Sequence, residues 1–165
     1  MSWREQIEQH EAAGELRLWK PTEAMDPIRR CLWTTRTAEI AIGIFCNSEG
    51  PVRAAGLRRD LDRYVTGALL ALPNDLKRLQ PPQGEIWELR SRTPRPQFRL
   101  VGAFAGRDAF VVLVGDDRSK IDFRQAVSDA KTKWKRLFPT IARHSGATIE
   151  DYVTHTDPPG DKPIP

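Results

Sequence analysis

The stretch Gly84–Phe123, GEIWELRSRTPRPQFRLVGAFAGRDAFVVLVGDDRSKIDF, decides the fold. Three runs rich in β-branched and aromatic residues predict strands over Ile86–Ser91, Phe98–Phe104 and Ala109–Gly115. Ala105-Gly-Arg-Asp108 joins the second to the third as a short hairpin loop. The longer connection Ser91–Gln97 carries two prolines, which keep it out of a regular ladder. Apart from Arg99, the second and third runs are apolar at consecutive positions, as the middle strands of a sheet covered on both faces should be. In the first, alternation sets Ile86, Glu88 and Arg90 on one side and Trp87 and Leu89 on the other.

Working outward, the segment after the third strand predicts a helix over about Asp122–Phe138. Its apolar stripe comprises Phe123, Ala126, Val127, Ala130, Trp134, Leu137 and Phe138, and Pro139 ends it. Before the sheet, Leu57, Leu61, Val65 and Leu69 predict a helix over Val52–Leu72. Arg53, Arg58, Arg59 and Arg63 occupy much of its other face and read as a solvated surface. Asp75–Gly84 (DLKRLQPPQG) reads as a basic loop with two prolines. Ile40, Ile42 and Ile44 alternate with Glu39, Ala41 and Gly43, which predicts a strand over Glu39–Cys46.

Further upstream, Ser2 and Glu5 form a capping box that opens a helix to Ala13, stopped by Gly14. Leu16–Lys20 reads as a short extended segment, and Trp3 and Trp19 as packing residues. Downstream, Thr148–Val153 reads as one more helical turn and Asp157–Pro165 as a disordered tail. The expected layout is an N-terminal extension over 1–35, a domain over 36–140 and a C-terminal tail over 141–165.

Composition bounds the function. The 165 residues carry 26 basic and 22 acidic side chains, a net charge of +4 that suits an anionic partner. No apolar run approaches the length of a membrane helix, and the charged start does not resemble a signal peptide, so the expected location is cytoplasmic. Cys31 and Cys46 show no metal or disulfide spacing and read as reduced thiols, and His10, His144 and His155 are scattered. No phosphate-binding glycine loop or nucleophile elbow is present, so neither a metal nor a cofactor is expected. The Gly115-Asp-Asp117 triplet reads as a strand-end turn.

What remains is basic. Arg90 and Arg99 project from neighbouring strands and cannot both be buried unpaired, so they face Glu88, water or an anion. An Arg90–Glu88 surface pair is one reading. A phosphate-binding sheet face, extended by Arg118 and Lys120, is the other.

The run Leu76–Phe123 resembles the RelE/HigB/ParE superfamily of bacterial toxins, especially its phage-derived HigB-like branch. The similarity rests on LKRLQPPQGEIWELR, FRLVGAF and FVVLVGDDRSKIDFRQAV in that order. Arg63–Gly67 in the preceding helix and the closing Trp134–Phe138 (WKRLF) are also similar to family segments, so the likeness covers roughly 52–138. It implies an α+β fold with helices on a small twisted antiparallel sheet and a C-terminal helix. It also implies a toxin that cleaves mRNA on the ribosome without a metal, by 2′-hydroxyl attack on the adjacent phosphate.

On that resemblance Arg99, Arg118, Lys120 and Phe123 are the catalytic candidates, and Arg90, Arg92, Arg95, Lys77 and Arg78 the RNA-binding ones. The implied partners are mRNA, the ribosome and an antitoxin covering the basic face, in a toxin–antitoxin heterotetramer. Phe123 falls where RelE has a tyrosine, so it can stack on a base but has no hydroxyl to exchange a proton. Glu88 and Ile86 stand where RelE carries two lysines, and Asp117 replaces a basic loop residue. These departures leave the general base unassigned and open two alternatives. One is a module of the same fold that binds nucleic acid or protein without cutting, and the other is a ParE-like gyrase inhibitor.

Overall fold

Hydrophobic residues on both faces of β6 (Phe98–Gly106) and β7 (Ala109–Asp117) make this hairpin the centre of the molecule. In the computed structural model, which describes residues 1–92, 97–154 and the backbone of 156–157, β6 is buried along its whole length. The hairpin extends into an open six-stranded sheet with β1 (Leu16–Leu18), β2 (Cys31–Thr35), β4 (Leu76–Arg78) and β5 (Trp87–Ser91), ordered β1-β2-β7-β6-β5-β4. Leu70–Ala71 (β3) pairs separately with Thr156–Asp157 (β8). The fold is α+β, as expected.

Two cores follow from the two-sided apolar pattern. On one face, α2 (Arg36–Ser48) and α3 (Pro51–Val65) cover Trp87, Leu89, Phe98, Leu100, Phe104 and Phe110. On the other, α1 (Trp3–Ala12) and α4 (Phe123–Leu137) cover Ile86, Val101, Ala103, Val111 and Leu113. Gly102 is required where β6 and β7 shift register, because a Cβ there would lie 2.0 Å from the Val111 carbonyl oxygen.

Several expectations are corrected. Glu39–Cys46 is not a strand but the body of α2. Thr35 caps it by accepting the Ala38 N–H at 3.3 Å, and Ala38, Ile42 and Phe45 form its buried stripe. Burial of that stripe outweighs the β-branched alternation, leaving Ile40 and Ile44 exposed. The third helix ends at Val65 rather than Leu72. Gly67 takes a positive φ of 84° two residues later, and Leu69 is exposed. The loop expected over Asp75–Gly84 contains β4 and a 3-10 turn, Pro82–Gly84. The sheet is mixed rather than antiparallel, because β2 runs parallel to β7 across the helical connection.

The ends of the described chain are tied to this frame. Residues 1–35 supply α1, β1 and β2, and Ile149, Tyr152 and Val153 are buried in the first core beside a 3-10 turn, Ile149–Asp151. Arg30, wholly buried, donates to the carbonyl oxygens of Thr154 (3.1 Å), Tyr64 (3.1 Å) and Ala68 (2.9 Å), joining β2, α3 and the C-terminal segment. Most of the expected tail, 158–165, lies outside the described residues.

Candidate nucleic-acid interface

Because Trp87 and Leu89 enter the α2/α3 core, the alternate side chains of β5, Glu88 and Arg90, point to the α4 side. Arg99 does the same from β6, between the core residues Phe98 and Leu100. Arg90 and Arg99 are direct cross-strand partners, an arrangement that repels unless an acid intervenes. Glu88 is that acid. Its Oε1 lies 2.6 Å from Arg99 Nε and 3.1 Å from Arg90 Nε, and its Oε2 accepts from Arg90 Nη2 at 3.3 Å. Neither Nε–H points along a hydrogen-bond direction to the carboxylate, so charge rather than directed bonding holds these two contacts.

Arg99 is only 5% exposed, and both of its Nη groups are hydrogen-bonded. Nη1 donates to the carbonyls of Ser91 (3.2 Å) and Phe98 (3.3 Å), and Nη2 to Gln97 Oε1 (2.7 Å). Burial lowers its pKa, Glu88 opposes that shift, and the nearby cations Arg90 and Arg118 add to it. One carboxylate therefore serves two guanidinium groups, and the cluster keeps a net positive charge. Two neighbouring acids, Asp116 opposite Arg99 in the β6–β7 register and Asp117, keep their charge but direct their hydrogen bonds into their own turn. Asp116 accepts the Asp117 N–H at 2.8 Å, and Asp117 accepts from Ser119 N and Oγ at 2.7 Å each.

The loop from β7 to α4 brings further cations. Arg118 and Lys120 are exposed, and the Arg118 guanidinium lies 5.3 Å from the centroid of the Phe123 ring. Phe123 opens α4, capped by Asp122, and is half-buried against the second core. Lys77, paired with Glu88 in the β4–β5 register, is exposed on the neighbouring edge strand. The structure thus gathers Arg90, Arg99, Arg118 and Phe123, with Lys77 and Lys120 at the margin.

It places the other candidates elsewhere. Arg78 sits 5.9 Å from the centroid of the Trp87 ring and 3.6 Å from Glu85, on the opposite side of β5. Arg92 is exposed at the end of β5, with Nη1 3.5 Å from Asp75 Oδ1, beside Arg59 and Arg63 of α3. That second basic group is visible in the sequence only as the arginine-rich side of a helix. Arg95 lies outside the described residues.

Among the described residues, no three His, Cys, Asp or Glu side chains come together as a metal site, and no helix is long and apolar enough to cross a membrane. Burial pushes both cysteine thiols up, which disfavours the reactive thiolate. No family model, curated protein or solved structure matches the chain.

Proposed function

We propose that the chain binds the backbone of mRNA along the end of the β5–β6 ladder beside the start of α4, as a toxin of the RelE/HigB kind would. The observation that carries this reading is the single carboxylate of Glu88 shared by Arg90 and Arg99. It leaves an excess of positive charge, which Arg118 and Lys120 continue on the surface. Phe123 offers a ring against which a base can stack, and Arg118 a guanidinium for phosphate.

In this reading the roles divide differently from those implied by the resemblance. Arg99 is spent on Glu88 and three oxygen acceptors, so it orients the cluster. Arg118, with Lys120, is the group able to stabilise charge developing at a phosphorus attacked by the adjacent 2′-hydroxyl. An antitoxin covering this face would present acidic side chains to it.

A second reading is binding without cutting. It is favoured by the burial of Glu88, 1% exposed and held by two arginines, and by the lack of a hydroxyl on Phe123. Induced expression with mapping of mRNA 5′ ends separates the two. Growth arrest with new 5′ ends, both lost in an Arg118→Ala/Lys120→Ala variant, establishes the ribonuclease. Bound but uncut mRNA establishes the binding module, and absence of RNA binding refutes both. Inhibition of gyrase in a topoisomerase assay, with RNA untouched, would instead place the chain with ParE-like proteins.

A further inference from the structure

We infer that the cleft between α3 and the end of β5 is a separate phosphate-binding site, taking the phosphoryl group of a nucleotide. The cleft has a volume of about 280 Å³ and is lined by Arg59 and Arg63 from α3 and by Arg90 and Arg92 from β5 and its end. Two acids also line it, Asp60 and Asp75. Arg90 is held by Glu88 on the other side of β5, so the cleft itself sets Arg59, Arg63 and Arg92 against Asp60 and Asp75, an excess of one positive charge.

The placement of these charges matters more than their sum. The two carboxylates are sunk and committed to the frame. Asp60 Oδ2 accepts from Ser91 Oγ at 2.9 Å and from the Arg92 N–H at 3.2 Å, which pins the end of β5 to α3. Asp75 Oδ2 accepts the Ala71 N–H at 2.8 Å. Their side chains are 14% and 15% exposed, whereas those of Arg59 and Arg92 are 60% and 51% exposed. Arg59 Nε lies 3.8 Å from Asp60 Oδ1 and Arg92 Nη1 3.5 Å from Asp75 Oδ1, so these two cations rest against the sunk acids at the mouth, with the exposed Arg63 beside them.

Leu70 and Leu89, both buried, add apolar wall. A wall of low polarizability strengthens the attraction between the arginines and an entering anion. Arg59 and Arg63 are one helical turn apart, so their guanidinium groups can converge on one tetrahedral dianion, a geometry that planar forks suit. The site lies on the α3 side of β5, reached through Leu89, whereas Glu88 marks the other side. Arg90 borders both. This inference stands independently of the RNA reading.

The test is a titration of the full chain with inorganic phosphate, followed by NMR at the backbone amides and arginine Nε–H groups and compared with sodium chloride at equal ionic strength. The expected result is saturable shifts at Leu89, Arg92 and Arg63, with affinity falling about tenfold in Arg63→Ala. Arg63→Lys, which keeps the charge but loses the fork, should fall between the two. Arg63 is exposed, so the variants should fold, and unchanged amide dispersion would verify it.

Repetition with 5′-AMP and with single-stranded RNA separates the sources. Displacement of phosphate by AMP alone assigns a free nucleotide, and displacement by both assigns the polymer backbone as well. Shifts that chloride reproduces, or that survive Arg63→Ala unchanged, overturn the site. Arg118→Ala/Lys120→Ala should leave these shifts intact, so failure here is distinguishable from failure of the RNA-binding surface.

Discussion

Arg99 and Glu88 are diagonal neighbours on β6 and β5, their Nε and Oε1 atoms 2.6 Å apart and both side chains almost wholly removed from solvent. Burying such a pair costs several kcal/mol per ion in desolvation, recovered only when the remaining donors and acceptors are filled. Here most are filled, by Arg90 Nη2 on the carboxylate Oε2 and by Ser91, Phe98 and Gln97 on the Arg99 Nη groups, while Glu88 Oε1 meets the two Nε–H groups through charge alone. The pair fixes the end of the β5–β6 ladder and thereby the position of Arg90.

Removing the acid should therefore damage the fold more than removing either surface cation. Glu88→Ala leaves two guanidinium groups facing each other, one of them buried, and should cost about 3–5 kcal/mol. Glu88→Gln keeps an acceptor and should cost less. Urea denaturation of both variants beside wild type checks the order. An Ala variant as stable as wild type would show that the carboxylate is dispensable to the cluster.

Two glycines in the central hairpin should respond differently to one added methyl group. At Gly102 a Cβ meets the backbone oxygen of Val111 at 2.0 Å, which cannot yield without breaking the register. At Gly115 it meets the edge of the Phe98 ring at 3.1 Å. Gly102→Ala should lie at or beyond the top of the ~1–3 kcal/mol range for overpacking, and Gly115→Ala near its bottom. Thermal melts of the two variants decide this, and equal losses would contradict it.

Much of this architecture is legible in the residues. Consecutive apolar positions in Phe98–Phe104 and Ala109–Gly115 identify a sheet covered on both faces, and alternation in Ile86–Arg90 assigns the sides of β5 correctly. The capping box at Ser2 and the proline after Phe138 mark helix ends. The isoleucine alternation before Asn47 misleads, because a period of two over six residues also samples two faces of a helix, and only the burial of Ala38, Ile42 and Phe45 selects between them. The partners of Leu16–Leu18 and Cys31–Thr35 lie far along the chain or across a loop, so no local pattern reports their place in the sheet. At the candidate site, the sequence names Glu88 as a partner for the arginines. It does not show that both Nη groups of Arg99 are already taken, since that depends on carbonyls whose direction is set by strand pairing.

Acid sensitivity should trace in part to the C-terminal 3-10 turn. The N–H groups of Thr148 and Ala147 donate to Asp151 Oδ2 and hold its carboxyl below the usual 3.8. The unfolded chain then takes up a proton first. The stability this group contributes is present above about pH 4 and is lost as the pH falls through the lower folded value. Asp151→Asn should flatten the dependence of stability on pH in that range. An unchanged slope between about pH 5 and pH 2 would assign the acid limb to other carboxylates.

The most direct test of the RNA-binding surface is the salt dependence of affinity for a short single-stranded RNA, wild type beside Arg118→Ala/Lys120→Ala. Each phosphate contact on a single strand contributes roughly 0.7 to the slope of log affinity against log salt. The account predicts weaker binding in the variant and a slope reduced by about 1.4, both side chains being exposed and expendable to the fold. Identical affinity and identical slope in the two proteins would contradict it.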